Sequence, residues 1–197
     1  MPGQYRVKLA QRVGGVWRDL AGPQTFNVVA DGIQQMSAAD RAALIAFQRK
    51  VARLQGAVIG ALETGNSVKE RLGQIERALQ ATPGVDRKLQ DDALTIRQQL
   101  DRLLRTLRGD EVLRSYQEIT PPSIAERVNG IVSAERLSTA RPTQTQMDAY
   151  GIAGKEFLPV LAKLRALVEV DLAKLEKAMD LAGAPHTRGR LPDWKPE

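Results

Sequence analysis

Residues 44–79 read LIAFQRKVARLQGAVIGALETGNSVKERLGQIERAL, and the apolar positions inside this run decide the fold. Leu44, Phe47, Val51, Leu54, Val58, Ala61, Val68, Leu72, Ile75 and Leu79 recur at alternating steps of three and four, with Gly65 standing at the one remaining place in the series. Such steps nearly match a helical turn, so these side chains line one face of a single long helix. A stripe of this kind is buried against other helices; it supplies shape and contact surface and carries no chemistry. Gly65-Asn66 is its weak point, because glycine costs roughly 1 kcal/mol relative to alanine inside a helix. The apolar register does not shift across it, so a kink at most is expected.

Ser37 stands as the N-cap of this helix, with Asp40 three residues on, and the stripe carries it to about Ala81. Thr82-Pro83-Gly84 then reverses the chain. Leu89, Ala93, Ile96, Leu100, Leu103 and Leu107 predict a second helix, antiparallel to the first because the connection is short. Gly109-Asp110 stops it. Val112-Leu113 and Tyr116 suggest a helical turn or two before Thr120-Pro121-Pro122. Ser123-Ile124-Ala125-Glu126 is a capping box opening a short helix to about Ser133, and Ser138 to Pro142 reads as loop. Thr143 with Gln146 is a further box, opening a helix to about Ala182. Its expected stripe is Tyr150, Phe157, Leu161, Leu164, Val168, Leu172, Leu175 and Met179, with a bend at Pro159 and a stop at Gly183. The tail, Ala184 to Glu197, reads as an extended segment lying on the bundle through Trp194.

The first thirty residues follow another period. Gln4-Tyr5-Arg6-Val7-Lys8-Leu9 alternates polar and apolar, as a half-buried strand does. Gly14-Gly15 marks a turn, Val16-Trp17 could begin a return strand, Gly22-Pro23 reads as a break, and Thr25 to Val29 alternates again before Asp31-Gly32. Two or three strands cannot stand alone, so they are expected to be the end of a larger β-sandwich, or else a hairpin folded onto the helices. The expected organisation is mainly α: an antiparallel bundle of long, coiled-coil-like helices over 33–183, a β appendage over 1–32 and a tail over 184–197.

Composition agrees with helix-on-helix packing, since aromatic residues make up only 4% of 197 residues. There is no cysteine, which excludes disulfides and thiolate metal sites. No apolar run is long enough to cross a bilayer, and the first residues hold no apolar export core, so any export signal would lie on a longer parent. The amphipathic helices carry few Trp or Phe and mix acids with bases on their polar faces, which suits a bundle better than an interfacial anchor.

Net charge is +6, spread along the chain. Arg97, Arg102, Arg105 and Arg108 make the second long helix the most basic and form the one candidate binding surface, for nucleic acid or another anionic polymer. Asp91, Asp92 and Asp101 are interleaved with them, and no stacking platform of aromatic residues accompanies the charge, so a solvated outer face is the simpler reading and nucleic acid is disfavoured. Catalytic, cofactor and metal residues are not expected. His186 is the only histidine and sits in the tail, which removes triads and multi-histidine metal sites. Gly14-Gly15 has no Lys-Ser/Thr behind it and is a turn, not a phosphate loop.

Two stretches together resemble a known family. Pro2-Gly3-Gln4-Tyr5-Arg6-Val7-Lys8-Leu9 resembles the strand that closes an immunoglobulin-like module. Ala140 through Tyr150, Glu156 through Leu161, Leu164 through Leu167, Ala182 through Pro185 and Gly189 through Trp194 resemble the C-terminus of large bacterial sortilin-like proteins, often described as BNR-repeat glycosyl hydrolases. The resemblance implies a parent with an export signal, an extracellular β-propeller, a small sandwich and a helical end. This chain would be that end, in an extracellular or periplasmic setting, and its partner the propeller of the same parent or another copy of itself. No Ser-x-Asp-x-Gly-x-x-Trp repeat occurs here, so no propeller residue and no glycosidase role carries over. The expected function is therefore a non-catalytic interaction or scaffolding domain. A basic module for cell-surface polymer, and an accessory part of a glycoside hydrolase whose site lies in the propeller, are the alternatives.

Overall fold

A computed structural model of the chain describes residues 2–29, 36–138 and 140–190. The fold is mainly α, with a small two-stranded antiparallel sheet at its start. It divides into two compact units, residues 1–41 and 42–197.

In the first unit β1 (Gly3–Val13) and β2 (Val16–Val28) form one hairpin around Gly14-Gly15. The expected break at Gly22-Pro23 is not one. β2 runs through it, and the two residues lie where the register shifts between Val7 and Leu9. Leu9 pairs with Ala21 and Ala10 with Asp19, so Leu20 is a second extra residue on β2. Bulges absorb what the sequence pattern presents as an interruption. Among the described residues two strands are present, the lower of the two numbers expected.

The helical unit is built of α1 (Ala38–Gln80), α2 (Arg87–Arg108), α3 (Glu111–Ser115), α4 (Ile124–Leu137), α5 (Gln144–Ala166) and α6 (Ala173–Leu181), the last two joined by a π-helical segment, Leu167–Leu172. Ser37 caps α1, accepting from the Asp40 backbone N–H at 3.1 Å. Asp86 caps α2 through the Lys88 N–H, a cap that the turn residues before it masked. Both capping boxes are present: Ser123 with Glu126 opens α4 and Thr143 with Gln146 opens α5. The Ser123 box holds a helix four residues longer at its C-terminal end than expected, to Leu137 rather than Ser133.

Contacts between the helices fix an up–down–up arrangement of three rods. Lys69 meets Asp101 at 3.2 Å and Glu76 meets Arg97, so α2 runs antiparallel to the second half of α1. Ile131 of α4 packs with Phe47 and Val51, so α4 lies beside the first half of α1 and continues the descending rod. Phe47 meets Tyr150 edge to face at 5.8 Å and Arg71 meets Glu176, so the third rod, α5 to α6, runs parallel to α1. Each buried Leu or Ile of these stripes contributes roughly 1.5–3 kcal/mol, and facing stripes are the source of the bundle's stability.

α1 is continuous across Gly65-Asn66, and the glycine is there for a packing reason. A Cβ at position 65 would stand 2.6 Å from Leu104 Cδ2 on α2. Glycine lets the second rod approach where alanine would collide. The α1 stripe is otherwise as the spacing predicts, with Leu54 only half-buried.

The third rod departs from its expected stripe. Ala153, Phe157, Val160, Leu164, Leu167, Leu172, Leu175 and Met179 are buried, while Leu161 and Val168 are half-buried. The buried steps are 4, 3, 4, 3, 5, 3 and 4, and the step of five spans the π segment. A π turn inserts one residue, which keeps Leu172 on the core side after Leu167. Steps of three and four alone bridge that gap through Val168, on the neighbouring ridge. Pro159 lies within α5, eight residues before the π segment begins.

Gly183 ends α6 with a φ of 66°. The Ala184 N–H donates to Met179 O at 3.0 Å and the Gly183 N–H to Asp180 O at 3.1 Å, the paired bonds of a Schellman cap. Trp194, expected to dock the tail, lies outside the described residues. The tail is anchored earlier, by buried Ala184, Thr187 and Arg190.

Candidate functional site

The four arginines proposed as a basic surface lie along α2, and three of them are engaged within the chain. Arg97 grips Glu76 of α1 with both arms, Nε to Oε1 at 2.5 Å and Nη2 to Oε2 at 2.8 Å. That hydrogen bonding, with the charges of Glu76 and Asp101, holds the guanidinium above its ordinary range against the opposing effect of burial. Arg105 pairs with Asp110 at 3.1 Å and Arg108 with Glu111 at 3.5 Å. Arg102 is exposed and lines a groove of about 790 Å³ between α2 and α5. Lys163, Glu156 and Asp171 line it too, over a floor of Leu103, Val160 and Leu167. Charges of both signs therefore alternate there, and the surface has no single-sign field to hold a polyanion.

A second polar cluster joins the ends of the first and third rods to the tail. Arg71 of α1 meets Glu176 of α6 through Nε–Oε1 at 2.5 Å and Nη2–Oε2 at 2.6 Å, and also donates to Gly189 O at 3.0 Å. Arg190, almost wholly buried, pairs with Asp180 and donates to Pro185 O at 3.2 Å. The Arg188 N–H reaches Gln74 Oε1 at 3.3 Å. Burial pushes the Glu176 carboxyl above its usual range, while Arg71 and Arg190 act in the opposite direction. The paired geometry makes this a strap across two rods. Nothing in the sequence pattern singles out a buried Arg in a tail of Pro and Gly, so this cluster is legible only in three dimensions.

His186 is exposed on the tail, as its context predicts. Among the described residues no group of three or more His, Asp or Glu stands close enough to hold a metal ion, and no helix is long and apolar enough to cross a membrane.

An exposed apolar surface lies on the hairpin. Directly opposed residues share a face, which places Tyr5, Val7, Leu9, Val13, Val16, Ala21 and Phe26 together on one side. Tyr5 and Phe26 stack at 5.9 Å, as that assignment requires. Arg6, Lys8, Arg12, Trp17, Asp19 and Thr25 share the other side, where Lys8 meets Asp19 at 2.9 Å and Arg12 stands 5.8 Å over the Trp17 ring. The apolar side is open: Val7 is 55% exposed, Leu9 60% and Val16 71%.

No protein-family model, curated protein or solved structure matches this chain.

Proposed function

We propose that this chain is a non-catalytic scaffolding module, in which a three-rod bundle carries a sheet-forming hairpin to a partner surface. The observation behind the proposal is the contrast between its two units. In the bundle the large apolar ribs, Leu72, Ile75, Leu100, Leu104, Leu167 and Met179 among them, are almost wholly buried against one another. In the hairpin the equivalent apolar face is exposed throughout. One unit whose apolar ribs are satisfied internally and another whose apolar face is exposed together suit an interaction domain.

The parent context is the second part of the proposal: the helical C-terminal region of an exported, sortilin-like BNR-repeat propeller protein. What supports it is the residue match at both ends, Pro2 through Leu9 and Gly189 through Trp194. The polypeptide encoded upstream in the same reading frame is expected to contain Ser-x-Asp-x-Gly-x-x-Trp repeats behind an export signal. An upstream sequence without them would remove the parent context. The non-catalytic reading is tested separately by incubating the chain with a panel of oligosaccharides. No product is expected, and turnover would overturn it.

A further inference from the structure

Independently of the scaffold reading, we infer that the groove between α2 and α5 binds a small amphipathic anion, an apolar chain ending in one carboxylate, with Arg102 and Lys163 holding the carboxylate and Leu103, Val160 and Leu167 the chain. The groove lies wholly within the helical unit and, at about 790 Å³, has the size of a small-molecule site. Two rows of side chains wall it. On α2, Gln99, Arg102 and Thr106 stand three and four residues apart and so share one face. On the third rod Val160, Lys163 and Leu167 have the same spacing, which sets Lys163 midway along an apolar strip about 10 Å long. Polar donors therefore stand beside a continuous apolar floor, the arrangement an amphipathic molecule needs.

The state of the two cations selects an anion. Arg97, Arg105 and Arg108, on the same helix as Arg102, are each paired with a carboxylate. Arg102 and Lys163 are exposed and, among the described residues, neither makes an ion pair, although two acids line the same groove. Glu156 is turned to Arg127, at 3.9 Å. Asp171 lies eight residues beyond Lys163, about 12 Å along the rod. Two like charges are thus left on one opening, and a carboxylate between them relieves their repulsion. Arg102 offers a planar fork that meets both carboxylate oxygens, and Lys163 adds a mobile point charge. The acids at either end of the groove limit the fit to a single negative charge. The third rod also departs from regular α-helix twice along this wall, at Pro159 and in the π segment that begins at Leu167. Local π turns of this kind recur at functional sites.

The test titrates the whole chain with decanoate, below its micellar range, by isothermal calorimetry. Saturable binding to one site is expected, with a dissociation constant below about 1 mM. Decanol and decyltrimethylammonium, which keep the chain and lose or reverse the charge, should bind at least about tenfold more weakly. Arg102→Gln combined with Lys163→Gln should weaken decanoate about tenfold or more, and because both side chains are exposed the bundle should keep its thermal unfolding. Leu9→Ser, on the apolar side of the hairpin, should leave the affinity within about twofold, which separates this groove from the other exposed apolar surface. A readout that needs no variant is the backbone amide spectrum, where decanoate should shift residues 99–106 and 156–171 and leave 3–28 in place. Absence of saturable binding, equal affinity for decanol or decyltrimethylammonium, an affinity unchanged in the double variant or lost in Leu9→Ser, or shifts confined to the hairpin would each overturn the inference.

Discussion

Replacing Gly65 by alanine isolates one contact between the first two rods. The added Cβ stands 2.6 Å from Leu104 Cδ2 and 3.4 Å from Leu104 Cγ, and Leu104 is itself 2% exposed and has little room to retreat. Overpacking of this kind costs about 1–3 kcal/mol. Against it stands the helix propensity of alanine over glycine, about 1 kcal/mol in its favour. The net expectation for Gly65→Ala is a destabilisation of about 0–2 kcal/mol. Gly56 and Gly60 lie in the same helix with nothing within 4 Å of an added Cβ. Alanine there should stabilise by about 0.5–1 kcal/mol. The decisive quantity is the gap between Gly65→Ala and Gly56→Ala in urea unfolding, about 1–3 kcal/mol, since propensity cancels from it. Gly65→Ala combined with Leu104→Ala should cost less than the sum of the two single changes, because the second makes room for the first. A Gly65→Ala protein as stable as the Gly56→Ala protein would refute the close approach of the rods.

Three further outcomes follow from particular elements. Deleting exposed Val170 removes the extra residue of the π segment and turns a step of five into one of four, so stability should change by about 1 kcal/mol or less; deleting exposed Gln98 from the regular α2 rotates Leu100, Leu104 and Leu107 off the core and should cost several times more by thermal unfolding. Glu126, held below its ordinary carboxylate range by hydrogen bonds from Ser123 and by Arg114, gives stability that is present above its unfolded value of about 4.5 and lost as pH falls through the lower folded value. Glu126→Gln should therefore flatten the acid limb of the stability curve below pH 4.5. Phe47→Ala and Tyr150→Ala should couple by about 0.5–1.5 kcal/mol in a double-mutant cycle, and a coupling of zero would deny the parallel first and third rods their contact.

Much of the bundle could be read from the sequence because regular helices repeat their burial. The ribs from Leu44 to Leu79 and from Ala93 to Leu107 needed only spacing, and the Ser123 and Thr143 boxes marked two helix starts through local hydrogen bonds. Leu103 was taken for a rib of α2 where Leu104 is the fully buried one, a choice between adjacent positions that spacing leaves open. Leu161 in place of Val160 is the same kind of choice. Two other errors come from inserted residues: Leu167 was passed over for Val168 because the π segment adds a residue to one turn, and β2 was divided at Gly22-Pro23 because a bulge adds one to a strand. Tertiary electrostatics was the other blind spot. Arg97, Arg105 and Arg108 look like a basic strip in one dimension and are ion-paired in three, and Arg190 looks like a solvated tail residue and is buried against Asp180. The apolar side of the hairpin was half legible: alternation showed that it was amphipathic, and only the structure showed that Val7, Leu9 and Val16 are exposed.

Spin-label distances on the cysteine-free chain test the central claim, that three rods close on one another up, down and up. Labels at Lys50 and Gly151, near the Phe47–Tyr150 contact, and a second pair at Gln74 and Lys177, near Arg71–Glu176, should each give one narrow distance below roughly 25 Å, while Lys50 with Lys177 should lie roughly 40 Å apart, as a rise of 1.5 Å per residue requires. Broad distributions for the two short pairs, or a Lys50–Lys177 distance as short as theirs, would contradict the arrangement.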